Sequence, residues 1–189
     1  MTTAGVILAG GRGQRMGGED KGTVTYKGRP LVEHVIAKLA PQLDQLVISA
    51  NRNIDFYKQY DYPVLADDIG DYWGPLAGIA TAMKFCQSDL LLISPCDTPN
   101  LPDNLLQRLT DVMEEKRVDV VMAQDEDHLH PVITLVKCSL YDDLVAYLRR
   151  GERKAMKWMQ SQNWAATRFP DQADCFANIN SLDDIDQTP

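Results

Sequence analysis

The first residues in this chain with the makings of phosphate chemistry are two glycines and three cations. Gly10 and Gly11 come directly after the apolar run "GVIL". Arg12, Arg15 and Lys21 follow within "LAGGRGQRMGGEDKG", Leu8 to Gly22. Glycines placed just after a strand leave backbone N–H groups open to an anion. Three nearby cations suit a polyphosphate through charge-assisted contacts. Neither common phosphate fingerprint fits. The dinucleotide pattern G-x-G-x-x-G needs a glycine where Met16 stands, and the P-loop needs Gly-Lys-Ser/Thr, whereas Lys21 lies between Asp20 and Gly22. What remains is a nucleotide cradle of a third kind, or a surface loop with solvated charges.

Other candidates fall further along. Asp97 follows "DLLLISP", the most apolar strand-like run. A carboxylate there would lie at a sheet edge and suit Mg²⁺, which takes one or two carboxylates and completes its shell with phosphate oxygens and water. "CDTPN" is also a good turn sequence. Asp67 and Asp68 follow "YPVLA". "GPLAG" (74–78) leads into a helix, and its glycines would let that helix start close to a bound nucleoside. Ser49 and Asn51 in "SANRN" are polar groups after a strand, a position where such residues also form turns. "RRGERK" (149–154) is a dense basic patch. Its cations complement a helix C-terminus, or Arg153 and Lys154 serve a second anion site. Asn178 and Asn180 in "NIN" either cap a turn or line that same side. His130, before Pro131, is read as structural and given no role.

These residues need elements to hold them. Strand-like runs are 4–9, 45–50, 62–66, 89–95, 118–123, 131–136 and the segment "WAATRFP". Helical patterns lie between them: a segment after Pro30, a short one at "IDFYKQY", then 75–86, 101–116, 138–150, "ERKAMKWMQ" and a last one from Ser181. Pro102 and Asp103 read as start signals, Ser139 as an N-cap and Gly151 as a stop. Alternating strands and helices predict an α/β fold: three layers, a mostly parallel central sheet and helices on both faces. Ligands in such sheets sit beyond the carboxyl ends of the strands. The loops 10–22, 50–53, 67–75 and 95–100 are therefore the ones to inspect, and they hold most of the unusual residues.

Composition narrows the classes. The chain has 189 residues and a formal net charge of −8. The length suits one domain, 1–189, and the charge argues against a nucleic-acid partner. No apolar run approaches the roughly 20 residues of a membrane span. The N-terminus lacks the pattern of a signal peptide. Cys86, Cys96, Cys138 and Cys175 show no CxxC spacing and read as reduced thiols of a cytoplasmic protein.

Taken together, "LAGGRGQRMGGEDK", "ANR", "GPLAG", "PCDTP", "HP" at 130–131, "GERK" at 151–154 and "NIN" span the chain. They resemble nucleotidyltransferases of the GT-A-like, Rossmann-like α/β fold, and within them the molybdenum cofactor guanylyltransferases. "LAGG" and the Pro-Cys before Asp97 distinguish this pattern from the cytidylyl-transferring relatives. The resemblance implies transfer of GMP from GTP to the terminal phosphate of Mo-molybdopterin, with release of pyrophosphate and with Mg²⁺ as cofactor. It implies nucleotide contacts from Leu8, Ala9, Gly10, Gly11, Lys21, Asn51, Asp67 and Asp97, with Asp97 the metal ligand. Arg15, Lys21 and Asp97 would carry catalysis. Arg153, Lys154, Asn178 and Asn180 would form the pterin side, contributed by the C-terminal part of the domain. Similar proteins often have Asn-Ala-Asn where this chain has Ser49-Ala50-Asn51. Either Asn51 makes the nucleotide contact or Ser49 makes a shorter one. Other cofactor-biosynthesis proteins or acceptor molybdoenzymes would be the partners. Alternatives are cytidylyl transfer to molybdopterin, transfer to a sugar phosphate, and a non-catalytic nucleotide sensor or carrier.

Overall fold

A computed structural model describes residues 1–9, 20–68, 73–126, 128–169 and 174–179. Gly10, Gly11, Arg12, Arg15, Asn180 and the helix expected from Ser181 lie outside the described residues.

The central sheet has seven strands in the order β5-β4-β1-β6-β8-β7-β9. They are β1 (Thr3–Leu8), β4 (Gln45–Ser49), β5 (Val64–Leu65), β6 (Leu90–Pro95), β7 (Val120–Gln124), β8 (Leu129–Lys137) and β9 (Trp164–Arg168). β2 (Thr25–Tyr26) and β3 (Arg29–Pro30) make a small separate hairpin. β1 and β6 form the centre, paired in parallel from Thr3↔Leu90 to Leu8↔Pro95. Both are nearly continuous apolar runs, because helices cover both their faces.

The helices are α1 (Leu31–Leu39), α2 (Ile54–Lys58), α3 (Pro75–Cys86), α4 (Leu105–Lys116), α5 (Tyr141–Arg149) and α6 (Ala155–Ser161). One core cluster joins α1 and α4 to the sheet through Val32, Val35, Leu39, Leu105, Leu109 and Met113. The other joins α3, α5 and α6 through Leu76, Ile79, Leu144, Leu148 and Trp158. This is the three-layer arrangement expected from the alternating pattern.

The departures have local causes. β8 runs antiparallel to both β6 and β7. Only residues 125–128 separate β7 from β8, too few for a parallel crossover, so a hairpin results. α4 begins at Leu105, so Pro102 and Asp103 occupy the turn before it. Ser139 is not an N-cap. It lies inside a 3-10 turn, Cys138–Leu140, that runs into α5. Gly151 does stop the helix, at φ +85°, with its N–H on the Leu148 carbonyl.

The chain lays down β1, then β4 and β5 to one side, and returns across β1 to place β6 on the other. That reversal opens a crevice between the carboxyl ends of β1 and β6, where ligands bind in open α/β sheets.

Candidate active site

A cavity of about 200 Å³ occupies this crevice, lined by Leu8, Ala9, Asp20, Lys21, Pro95, Cys96 and Asp97. Ala9 continues β1, its N–H on the Ser49 carbonyl at 2.8 Å, and Cys96 continues β6, its N–H on the Leu8 carbonyl. The cavity floor is thus built from the ends of the two central strands.

Lys21 and Asp97, 76 positions apart in sequence, meet here. Lys21 Nζ donates to Asp97 Oδ2 at 2.7 Å. The Asp97 side chain is 9% exposed, and its Oδ1 is buried without a hydrogen-bond partner among the described residues. A buried carboxylate oxygen left open is costly unless a cation or donor meets it. One carboxylate with one free oxygen fits Mg²⁺, which draws its other ligands from phosphate and water. No cluster of three or more His, Cys, Asp or Glu that could hold a metal occurs among the described residues.

Asp20, the residue before Lys21, is a buried hydrogen-bonding centre that sequence reasoning missed. It is 4% exposed. Its Oδ1 accepts from Tyr57 Oη at 2.6 Å and from the Gly22 N–H at 3.2 Å, and its Oδ2 accepts from Asn53 Nδ2 at 3.0 Å. Arg52 Nε lies 4.0 Å from the same oxygen. Asn53 adopts the left-handed conformation, φ +50°, that lets its amide turn toward Asp20. Burial and the neighbouring Asp20 charge push the Tyr57 phenol far above its ordinary range, so it stays a donor. No local motif marks this cluster, because its members come from two segments more than thirty residues apart.

At the ends of β4 and β5, Asn51 and Asp67 form a reciprocal pair. Asn51 Nδ2 donates to Asp67 Oδ2 at 2.8 Å, and the Asp67 N–H donates to Asn51 Oδ1 at 2.9 Å. Asp67 Oδ1 is buried and unpartnered among the described residues. Burial raises the Asp67 carboxyl above its usual value, opposed by the Asn51 hydrogen bond and assisted by the neighbouring Asp68. Asp68 is turned to structure: it takes Lys84 Nζ at 2.6 Å and Thr81 Oγ1 at 3.0 Å on α3. Ser49 is 3% exposed, and its Oγ lies where a Cβ on Gly78 would fall. Serine and glycine thus let α3 approach β4 closely. This leaves Asn51 as the more open polar group of the two. α3 enters through Gly74, at φ +77° and ψ −168°, a conformation available essentially only to glycine.

The C-terminal segment crosses the same edge. The Ile179 N–H donates to the Asp97 carbonyl at 2.9 Å, and Thr98 Oγ1 donates to Asn178 Oδ1 at 2.7 Å. Asn178 is therefore brought beside the loop carrying Asp97. Arg153 lies over the Trp73 ring at 3.9 Å and donates to the Leu148 and Glu152 carbonyls. No carboxylate pairs with it among the described residues. Lys154 is exposed, at the N-terminal border of α6. Arg153 lies beside the start of α3, its carbonyl 4.0 Å from where a Cβ on Gly74 would fall, whereas Phe176, two residues before Asn178, packs into the α1–α4 core cluster on the opposite face. Cys96 is buried beside Asp97, and burial drives its thiol pKa far up, so it is no nucleophile.

Known proteins match this chain along nearly its whole length. The family model described as the MobA-like NTP transferase domain covers residues 5–166. A molybdenum cofactor guanylyltransferase of Shewanella putrefaciens is 41% identical over 182 residues, 96% of this chain and 93% of that protein. The one from Haemophilus influenzae is 40% identical over 188 residues, 100% of this chain and 98% of that protein. Among solved structures, the molybdopterin-guanine dinucleotide biosynthesis protein A of Archaeoglobus fulgidus superposes with a TM-score of 0.80. It is 24% identical and covers 98% of this chain and 96% of its own, a likeness of fold. The chain belongs to the MobA-like NTP transferases and, within them, to the molybdenum cofactor guanylyltransferases.

Proposed function

We propose that this protein transfers GMP from GTP to the terminal phosphate of molybdopterin, giving the guanine dinucleotide and pyrophosphate. The observation that carries this reading is the Lys21–Asp97 pair in the switch-point crevice, with Asp97 Oδ1 buried and open. An oxygen of the acceptor phosphate forms a bond to the α-phosphorus of GTP. The bond from that phosphorus to the bridging oxygen breaks, and pyrophosphate departs with the electron pair. A phosphate monoester has a second pKa near 6 and is largely dianionic at neutral pH, so no strong general base is required. Catalysis is then alignment and charge neutralisation.

Lys21 stabilises the charge that develops on the leaving pyrophosphate, and Arg15 is proposed to share that task. Asp97 would hold Mg²⁺, which when bound neutralises triphosphate charge. Asp20 fixes the backbone next to Lys21. Leu8, Ala9, Gly10 and Gly11 would line the phosphate path, and Asn51 and Asp67 would meet the nucleoside. Arg153, Lys154, Asn178 and Asn180 would face the pterin substrate. Delivery of the product would bring other cofactor-biosynthesis proteins or acceptor molybdoenzymes to the protein in the cytoplasm. No helix among the described residues is long and apolar enough to cross a membrane.

Thermal stabilisation by GTP, CTP, ATP and UTP, each with and without Mg²⁺, tests the reading. Selective, Mg²⁺-dependent stabilisation by GTP is the expected result. Selective stabilisation by CTP would favour cytidylyl transfer instead, and no stabilisation by any nucleotide would overturn the assignment.

A further inference from the structure

Lys21 opens a single 3-10 turn, Lys21–Thr23, that follows directly on Asp20. The Thr23 N–H donates to the Asp20 carbonyl at 3.0 Å, and the Val24 N–H donates to the Lys21 carbonyl at 3.2 Å. Thr23 Oγ1 donates to the same Asp20 carbonyl at 2.8 Å, and the Asp20 side chain caps the turn at the Gly22 N–H. A turn this short has few bonds of its own, and their geometry is poor. A lysine ammonium rides on a flexible four-carbon stem. Its place is therefore set by the backbone at its root and by the partner at its tip. Asp97 meets the tip. The root is braced from another part of the fold.

That brace is α2. Tyr57 is fully buried, and its Oη donates to Asp20 Oδ1 at 2.6 Å across 37 positions of sequence. A Cβ on Gly22 would fall onto the same hydroxyl, so the turn and the phenol pack together as well as bond. Asn53, at the start of α2, donates to the other Asp20 oxygen at 3.0 Å. Burial keeps the phenol protonated, so Oη stays a donor. Asp20 lines the cavity with Lys21 and Asp97, whereas none of the described residues that line it belongs to α2. Tyr57 thus stands behind the Lys21 turn, one side chain removed from the cavity.

The connection that carries Tyr57 begins with Asn51, whose amide pairs with Asp67. One segment, 51–57, therefore makes separate contacts to two parts of the site. Loss of the Tyr57 hydroxyl disturbs the Asp20 end and spares the Asn51–Asp67 pair. We propose that Tyr57 is a positioning residue for the transfer: its hydroxyl, through Asp20, sets the backbone from which Lys21 reaches the departing pyrophosphate. Preorganised charge is effective only when it is in place as the new charge develops, so a loosened root costs turnover more than binding. This rests on the proposed GMP transfer and adds to it a residue that never meets substrate.

A double-mutant cycle on turnover tests it. In steady-state transfer assays, Tyr57→Phe lowers kcat roughly 5- to 30-fold, the range for losing a hydrogen bond to a charged group, and leaves the KM for GTP and for molybdopterin within about threefold. In a Lys21→Ala background the same substitution changes kcat by less than about twofold, because no ammonium remains to be misplaced. If Tyr57→Phe does not fold, Asn53→Gly carries the same cycle: it keeps the left-handed backbone and removes the other side-chain donor to Asp20. A kcat close to wild type in the single variant, or an equal loss in both backgrounds, would make this contact a matter of stability alone and overturn the proposal. Absence of any transfer by the wild-type chain would overturn the GMP-transfer reading and this proposal together, whereas wild-type transfer with an additive cycle would sink only the latter.

Discussion

The two edges of the central sheet differ in how far their polar groups are satisfied. At the amino edge lie clefts of about 600 Å³ and about 380 Å³, both larger than the cavity of about 200 Å³ between Lys21 and Asp97. Yet the amino-edge carboxylates are paired. Asp89 accepts from the Thr2 N–H at 2.6 Å, Asp44 from the Thr3 N–H at 2.8 Å, and Asp119 from Lys137 Nζ at 2.7 Å. The Thr2 hydrogen bonds hold the Asp89 carboxyl below its ordinary range. Burial pushes the Cys86 thiol at that edge up to about 11, leaving it protonated and unreactive at neutral pH. At the carboxyl edge, Asp67 Oδ1 and Asp97 Oδ1 are buried without a partner among the described residues. Unsatisfied buried oxygens, rather than volume, mark the edge that awaits a ligand.

Substitutions can break that contrast, and the largest effects belong to the crevice. Asp97→Asn and Lys21→Ala should each lower turnover by about 10²- to 10³-fold, the usual cost of removing one preorganised charge. Both variants should keep wild-type circular dichroism, and turnover close to wild type in either would remove the pair from the chemistry.

Asp20→Ala comes next. It leaves the Tyr57 hydroxyl and the Asn53 amide without their buried acceptor. A loss of about 3 kcal/mol of stability is expected by urea unfolding, together with reduced turnover as the backbone beside Lys21 loosens. Full stability would show that water replaces the carboxylate.

Asp67→Asn sharpens the comparison further, because function and stability should move apart. Burial raises the Asp67 carboxyl in the folded chain. The folded state therefore binds that proton more tightly than the unfolded state. Its contribution to stability falls as pH rises from the ordinary carboxylate value through the raised one. Asparagine removes this fall, so the melting temperature at pH 7 should hold or rise while activity drops about tenfold. A lower melting temperature would make Asp67 a structural residue.

The smallest effect is expected at the amino edge. Lys137→Ala removes a half-exposed ion pair, and stability should change by less than about 1 kcal/mol, with kcat/KM unchanged. A large loss of activity there would erase the distinction between the edges.

Sequence reading went furthest where the physics is local. Apolar runs gave β1 and β6, small and apolar residues on one face gave α3, and the position of Asp97 after the most apolar strand placed it at the sheet edge. The reversal of β8 was implicit in the short stretch between two strand-like runs. Ser139 misled, because a 3-10 turn took the place of a capped helix start. Asp20 was not legible, since its partners Tyr57 and Asn53 come from a segment that only folding brings to it. The same holds for Asn51 with Asp67: each looked like a turn residue, and their reciprocal hydrogen bonds appear only across β4 and β5.

The most direct test follows the α-phosphorus itself. GTP labelled at that position, supplied with molybdopterin and Mg²⁺, should give labelled dinucleotide and an equal amount of pyrophosphate with the wild-type chain. Asp97→Asn should give almost none, and CTP should not replace GTP. Pyrophosphate release that does not depend on the acceptor, or equal rates in Asp97→Asn, would contradict a guanylyl transfer centred on the Lys21–Asp97 crevice.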